Sequence, residues 1–131
     1  VHRAAADNPS TPEGAVLLVD FTVAGQQFTG INGGPEFHFS EAVSFAIDDC
    51  EDQAEVDRLW DALAADGGQP GPCGWIKDRF GLSWQVVPRQ LGEMLTSPDR
   101  DAARRAMNAM LEMSKLDIAE LRRAFEDRAA G

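Results

Sequence analysis

Residues 73–88 of this chain are Cys73-Gly74-Trp75-Ile76-Lys77-Asp78-Arg79-Phe80-Gly81-Leu82-Ser83-Trp84-Gln85-Val86-Val87-Pro88. Two apolar, aromatic-rich segments are separated here by a polar run and a glycine, which predicts a β-hairpin with a short loop. Pro88 has no amide hydrogen to donate to a neighbouring strand, so we expect it to end the second strand. The side chains of that strand alternate between two faces, with Leu82, Trp84 and Val86 on one and Ser83, Gln85 and Val87 on the other.

The segment before this hairpin predicts one strand followed by one helix. Residues 42–48 alternate between large and small side chains, so one face of the strand should pack and the other should stay open. Asp52 and Glu55 form a capping box, and apolar residues then recur at helical spacing until Gly67 and Gly68. We expect the helix to cover the face that carries the large side chains.

An earlier hairpin is predicted from residues 15–32. Leu17, Val19, Phe21 and Val23 share one face, which indicates a strand with one side in a core. The dipeptide Ala24-Gly25 supplies a two-residue turn, and residues 26–32 return antiparallel. Residues 1–4 are expected to form a short edge strand.

The pattern after Pro88 predicts helices. A short turn or helix is expected over residues 90–96. A helix with Ser97 as its N-cap and Pro98 at its first position should follow, and a last helix should begin after the capping box of Asp117 and Glu120. The chain has four methionines, which we interpret as adaptable packing residues: Met94, Met107, Met110 and Met113.

Composition excludes several classes of partner. The chain has 131 residues and a formal net charge of −10, which repels phosphate backbones and anionic membranes, so we expect no nucleic-acid or membrane partner. No apolar run approaches the roughly 20 residues of a membrane-spanning helix. Cys50 and Cys73 are interpreted as reduced thiols, and the protein is expected in the cytoplasm.

Several motifs in this order resemble those of one known family. They are Asn32-Gly33-Gly34-Pro35, Asp52-Gln53-Ala54-Glu55-Val56-Asp57, residues 73–81 and residues 83–88. The chain resembles, from Val1 to about Phe125, the PhnB-like family of the vicinal oxygen chelate superfamily, which includes glyoxalases, bleomycin resistance proteins and dioxygenases. The resemblance implies an α+β fold of paired βαβββ modules, with a partial first module at 1–35, a second at 36–88 and a helical extension at 89–131.

The chain departs from the family pattern at its start. Family members have a strand and a helix, typically with a Phe-Tyr pair, ahead of the segment where this chain begins. Without them the first module is incomplete and would expose an apolar edge and an uncovered face. We therefore expect that the natural protein is longer, or that a second copy completes the module in a homodimer.

Enzymes of the superfamily bind a divalent metal through His and Glu side chains. The resemblance puts Gln85, Ala42 and Asn32 where those ligands would lie, and these residues predict no glyoxalase-type metal site. His2 and His38 are the only histidines, and we interpret His38 as a loop residue. The family also has the label 3-demethylubiquinone-9 3-methyltransferase, but Gly33-Gly34 follows a hairpin strand and does not resemble a cofactor-binding turn. We expect no cofactor.

The remaining candidate site is a cavity between the modules. Its predicted ligand-binding residues are Phe28, Asn32, Ser44, Trp75, Lys77 and Gln85, where Trp75 and Lys77 point the same way from one strand. An aromatic wall beside a cation suits a small planar or anionic ligand, although Trp75 in a core and Lys77 in solvent remain the alternative.

The sequence favours a small-molecule binding protein of unassigned activity. Two alternatives stay open: a metal-dependent lyase or dioxygenase, and a dimeric interaction protein with a vestigial cavity. The sequence names neither a ligand nor a catalytic residue.

Overall fold

The structure is a computed structural model that describes residues 1–127. Its contacts divide the chain into two compact units, Val1–His38 and the part from Phe39 onward. The strands are β1 (His2–Arg3), β2 (Val16–Val23), β3 (Gln26–Ile31), β4 (Ser44–Cys50), β5 (Gln69–Pro70), β6 (Trp75–Lys77) and β7 (Ser83–Pro88). The helices are α1 (Gln53–Ala64), α2 (Arg89–Leu95), α3 (Arg100–Leu111) and α4 (Ile118–Glu126), with a 3-10 turn at Ala65–Gly67.

The first unit is an antiparallel sheet in the order β1-β2-β3. Ala24 and Gly25 form the β2–β3 turn with φ values of 49° and 81°, which confirms the predicted two-residue hairpin. The apolar face of this sheet was expected to lie in a core, and that expectation is wrong for the described chain. Val19 is 39% exposed and Phe21 44% exposed, because none of the three strands of this unit is followed by a covering helix within residues 1–38.

The second unit contains one complete βαβββ module. Its sheet has the order β4-β7-β6-β5, in which β4 and β7 are parallel and the other pairs are antiparallel. The predicted hairpin is confirmed as β6 and β7, and β7 ends at Pro88 as expected. Strand β5 was missed in the sequence, because two residues that include a proline give no alternation to detect.

Helix α1 begins as its capping box predicts and packs on one face of this sheet. The Asp52 carboxylate accepts a hydrogen bond from the Glu55 amide at 2.9 Å, and Glu55 in turn accepts one from the Glu51 amide at 2.8 Å. On the face toward α1, Ile47, Ile76, Trp84 and Val86 are buried, together with Val56 and Trp60 of α1, whereas Phe45 on the same face is 37% exposed. The opposite face is left accessible.

Helices α2, α3 and α4 pack around a second apolar cluster that includes Leu91, Met94, Ala106, Leu116 and Leu121. Met110 and Met113 pack against this cluster, whereas Met107 is 39% exposed. The predicted cap of α4 is confirmed, since the Asp117 carboxylate accepts from the Glu120 amide at 2.9 Å. The predicted start of α3 is wrong: Asp99 is the N-cap, and its carboxylate accepts from the Ala102 amide at 3.0 Å. A carboxylate three residues before that amide competed successfully with Ser97.

Two sheets and four helices give a mixed α+β fold of the glyoxalase-like, vicinal oxygen chelate type. Among residues 1–127, no helix combines the length and apolar character that a membrane crossing requires. The predicted boundaries at residues 35 and 88 stay a prediction.

Candidate functional site

The accessible face of the second sheet carries four of the six predicted ligand-binding residues. In the register of the strands, Ser44 pairs with Ser83, Trp75 pairs with Gln85, and Lys77 pairs with Ser83. Because paired residues point to the same side of a sheet, Ser44, Trp75, Lys77 and Gln85 share this face. The Gln85 side-chain amide donates to the Ser44 hydroxyl at 3.0 Å, so two of the polar side chains contact each other across parallel strands.

Asp78 and Gly74 fix the ends of strand β6, which carries Trp75 and Lys77. Asp78 follows the strand, and its carboxylate accepts hydrogen bonds from the amides of Phe80 and Leu82 at 2.9 and 3.1 Å. Gly74 precedes the strand with a φ of 81°, and a Cβ there would lie 2.9 Å from the Val86 carbonyl oxygen. No larger side chain fits at Gly74 unless the backbone moves, so the close approach of β6 and β7 depends on this glycine.

A cavity of about 450 Å³ opens beside β6. Its volume falls within the range of small-molecule pockets, roughly 300–1,000 Å³. The walls combine apolar surface with a few polar groups, and its lining residues are Glu41, Gln69, Pro70, Gly71, Pro72, Trp75, Ile76, Lys77 and Ser83. Trp75 is half-buried, and its backbone carbonyl accepts a hydrogen bond from the Gly71 amide at 2.8 Å, which holds the β5 side of the cavity against β6.

Lys77 is paired within this cavity. Its Nζ donates a hydrogen bond to Glu41 Oε1 and forms an ion pair with that carboxylate. The hydrogen bond from Lys77 holds the pKa of the Glu41 carboxyl below its usual value, so Glu41 is ionised at neutral pH. The Lys77 side chain is 37% exposed and that of Glu41 is 67% exposed, so the pair lies at the mouth of the cavity in contact with water.

Phe28 and Asn32 belong to the first unit. The Phe28 ring stacks on Phe21 with 5.5 Å between the centroids. The Asn32 side-chain amide donates to the Val16 carbonyl at 3.2 Å, and its backbone amide donates to the Leu17 carbonyl at 2.8 Å. These contacts give Phe28 an apolar role on the sheet face and Asn32 a role at the end of the hairpin. A ligand contact by either residue stays a prediction.

Sequence reasoning missed Glu41 and the segment Gln69–Pro72 as parts of the site. Glu41 lies 36 positions from Lys77, and no local pattern connects the two residues. Gln69 and Pro70 pair with β6 only through the tertiary fold. The two prolines around Gly71 were the available signal, since they indicate a rigid extended segment directly before the hairpin.

Two further groups of titratable residues offer no catalytic arrangement. In the first unit, Asp20 is hydrogen-bonded to His2 Nε2 and to the Thr29 hydroxyl, both at 2.8 Å. The bond to His2, then that to Thr29, lowers the pKa of this exposed carboxyl, so Asp20 stays ionised and is poorly suited to act as a base. In the second unit, burial raises the pKa of the Cys50 thiol to about 11, which makes it a poor nucleophile.

The side chains described do not fit a metal site of the glyoxalase type. Residues 1–127 contain no group of three His, Cys, Asp or Glu side chains placed to hold a metal ion. Gln85, at the position that the resemblance gives to a metal-binding Glu, donates to Ser44 through its amide nitrogen. An amide carries no charge to offset that of a divalent ion, so we derive no chemistry through a metal.

Fold and cavity define this chain as a glyoxalase-like α+β protein. Comparison with known proteins identifies the family. Residues 1–87 match the family model described as 3-demethylubiquinone-9 3-methyltransferase. A solved structure of a PhnB protein from Bacillus cereus, with a provisional description as the same methyltransferase, is 30% identical. The match covers 66% of this chain and 74% of that one, with a TM-score of 0.52. No curated protein matches the chain.

The chain therefore belongs to the PhnB-like family. The methyltransferase in the family's description implies S-adenosylmethionine as a cofactor. The common binding fold for that cofactor is a doubly wound parallel sheet with a glycine-rich turn at a strand end. The sheet here is mixed, with one parallel pair, and Gly33-Gly34 lies after β3 in a segment that leads to no helix. These residues do not fit the common cofactor site.

Proposed function

We propose that this PhnB-like protein binds a small molecule in the cavity beside β6, with no glyoxalase-type metal. The observation that carries the proposal is the half-buried Trp75 side chain, which forms one wall of an apolar cavity of about 450 Å³. A planar group that stacks on the indole buries apolar surface on both partners, and such aromatic pairs contribute about 1 kcal/mol beyond simple burial. Lys77 and Gln69 offer polar groups that would orient it.

The proposal places the protein in the cytoplasm and excludes nucleic acid as its ligand. Both cysteines are free thiols, which supports a reducing compartment. The net charge of −10 opposes binding to a phosphate backbone. A catalytic step is not part of the proposal.

The test is titration with N-phenyl-1-naphthylamine, an uncharged aromatic probe whose fluorescence rises in apolar surroundings. We expect saturable binding to the wild type, and Trp75→Ala should weaken it about fivefold through loss of the stacking partner. Phe80→Ala is the matched control, because Phe80 is 68% exposed and does not line the cavity. Equal affinities in the two variants, both with wild-type melting temperatures, would show that the probe binds elsewhere and would refute the proposal.

A second proposed function is self-association through the uncovered face of the first sheet. Leu17, Val19, Phe21, Val23, Gln26, Phe28 and Gly30 share this face, and none of them is charged. A second copy offers the same uncharged apolar surface, so each face can bury the other. This would make the protein a homodimer, as the sequence predicts, and it is compatible with a ligand in the second unit.

A further inference from the structure

The cavity beside β6 contains one formal charge of each sign. Of its lining residues in the described chain, Lys77 is the only cation and Glu41 the only anion, and the two form an ion pair. Glu41 lies in the segment between Phe39 and Val43, whose side chains are all exposed. The ion pair is a contact between this segment and strand β6 at the mouth of the cavity.

This pairing changes what the cavity attracts. An unpaired lysine beside an aromatic wall would attract an anionic group through its positive charge. The Glu41 carboxylate already forms an ion pair with the Lys77 ammonium group. An anionic ligand must therefore displace this carboxylate or bind next to it. The overall charge of −10 adds to that repulsion. An uncharged ligand meets neither cost.

We infer that Glu41 determines the charge specificity of the cavity: paired with Lys77, it favours uncharged planar ligands and disfavours anionic ones. The inference rests on the proposed function, because it specifies the chemical class of ligand for the same cavity. It narrows the choice between a planar and an anionic ligand that the sequence left open. Glu41 thereby acts as a specificity-determining residue that the sequence did not indicate.

The experiment compares two probes that differ by one sulfonate. N-phenyl-1-naphthylamine is uncharged, and 8-anilinonaphthalene-1-sulfonate has the same ring system with one negative charge. The readout is the preference for the anion, defined as the dissociation constant of the uncharged probe divided by that of the anionic probe. Wild type, Glu41→Gln, Lys77→Met and the control Asp101→Asn are titrated in the same buffer, and their folding is verified by thermal melting.

Glu41→Gln should raise this preference about fivefold, since a unit charge at about 4 Å in water-like surroundings changes a binding constant by that factor. Lys77→Met should lower it, because Glu41 is then unpaired. Asp101 lies on α3 in an exposed ion pair with Arg104 at 2.9 Å and does not line the cavity, so Asp101→Asn removes the same charge without effect on the preference.

The outcomes separate the inference from the proposed function. If Glu41→Gln and Asp101→Asn show the same preference for the anionic probe, Glu41 does not set the charge specificity, although the cavity still binds the uncharged probe. If the wild type binds neither probe, the proposed function is wrong and the inference falls with it. A preference for the anion in the wild type at least as strong as in Glu41→Gln would also overturn the inference.

Discussion

Asp78 stabilises the loop of the β6–β7 hairpin with both oxygens of its carboxylate. One oxygen accepts from the Phe80 and Leu82 amides at 2.9 and 3.1 Å, and the other accepts from the Trp84 indole nitrogen at 3.0 Å. Trp84 is only 5% exposed, so its indole N–H has little access to water if the carboxylate is removed. A buried donor that loses its partner is more costly than an exposed one.

We therefore predict that Asp78→Ala lowers the free energy of unfolding by about 1 to 3 kcal/mol. Urea unfolding followed by tryptophan fluorescence measures this in the second unit, where all three tryptophans lie. Glu93→Ala, at an exposed position of α2, is the control and should change stability by less than about 0.5 kcal/mol. If the two variants are equally stable, the three hydrogen bonds do not support the hairpin.

At the scale of elements, the parts of the fold that depend on neighbouring residues were predictable. The β6–β7 hairpin follows from its polar loop and from Pro88, and α1 follows from the capping pair Asp52 and Glu55, because each signal lies within a few positions of the structure it specifies. The same reasoning assigned Trp75 and Lys77 to one face of a strand. Alternation alone fixes that face once the strand exists.

The parts that depend on distant residues were not predictable. Strand β5 exists because Gln69 pairs with Lys77 and Pro70 with Ile76, and a two-residue strand has no periodicity of its own. Glu41 enters the site only because β4 lies beside β7 in a parallel pair. This pairing brings the loop before β4 close to Lys77. At α3, two capping residues compete within three positions, and the sequence does not rank Ser97 against Asp99.

Gln53 joins the start of α1 to the start of α4. Its amide nitrogen donates to the Leu116 carbonyl at 3.0 Å, and its oxygen accepts from the Ile118 amide at 2.8 Å. We predict that Gln53→Ala lowers the free energy of unfolding by about 1 to 3 kcal/mol, because Leu116 is fully buried and its carbonyl loses this partner. Gln27→Ala, on the exposed surface of β3, is the control for urea unfolding. A loss no larger than that of the control would contradict the prediction.

The same side chain makes a second readout available. Gln53 also donates to Asp57 at 3.0 Å, and this bond, followed by the one from Lys115, lowers the pKa of the Asp57 carboxyl. A carboxyl with a lower pKa in the folded state stabilises the protein above its unfolded pKa of about 4. That stabilisation is lost as the pH falls through about 4 toward the folded value. Gln53→Ala removes the first cause of the lowered pKa. In this variant, the contribution of Asp57 to the free energy of unfolding should therefore depend less on pH between 5 and 3.

At the scale of the whole molecule, charge and apolar surface have opposite effects on association. Each copy has a net charge of −10, which makes two copies repel at low ionic strength. The uncovered face of the first sheet includes Phe21 at 44% exposure and Val19 at 39%, which favours association through the hydrophobic effect. At 0.1 M, salt screens the charge repulsion beyond a distance of about 10 Å. The hydrophobic contribution of the uncovered face remains.

We predict that the wild type forms a dimer whose dissociation constant falls on the order of a few-fold between 20 and 200 mM NaCl, because the repulsion is screened. Phe21→Ser should weaken the dimer by about 1 to 2 kcal/mol through loss of buried apolar area. Thr22→Ser is the control, since Thr22 lies on the opposite face of the same strand.

Light scattering across a dilution series measures the mass of each variant at both salt concentrations. A wild type that stays monomeric, or a Phe21→Ser variant that dimerises as well as Thr22→Ser, would exclude this face as the contact. An affinity that falls with salt would instead indicate an interface of opposite charges, which the uncharged face cannot supply.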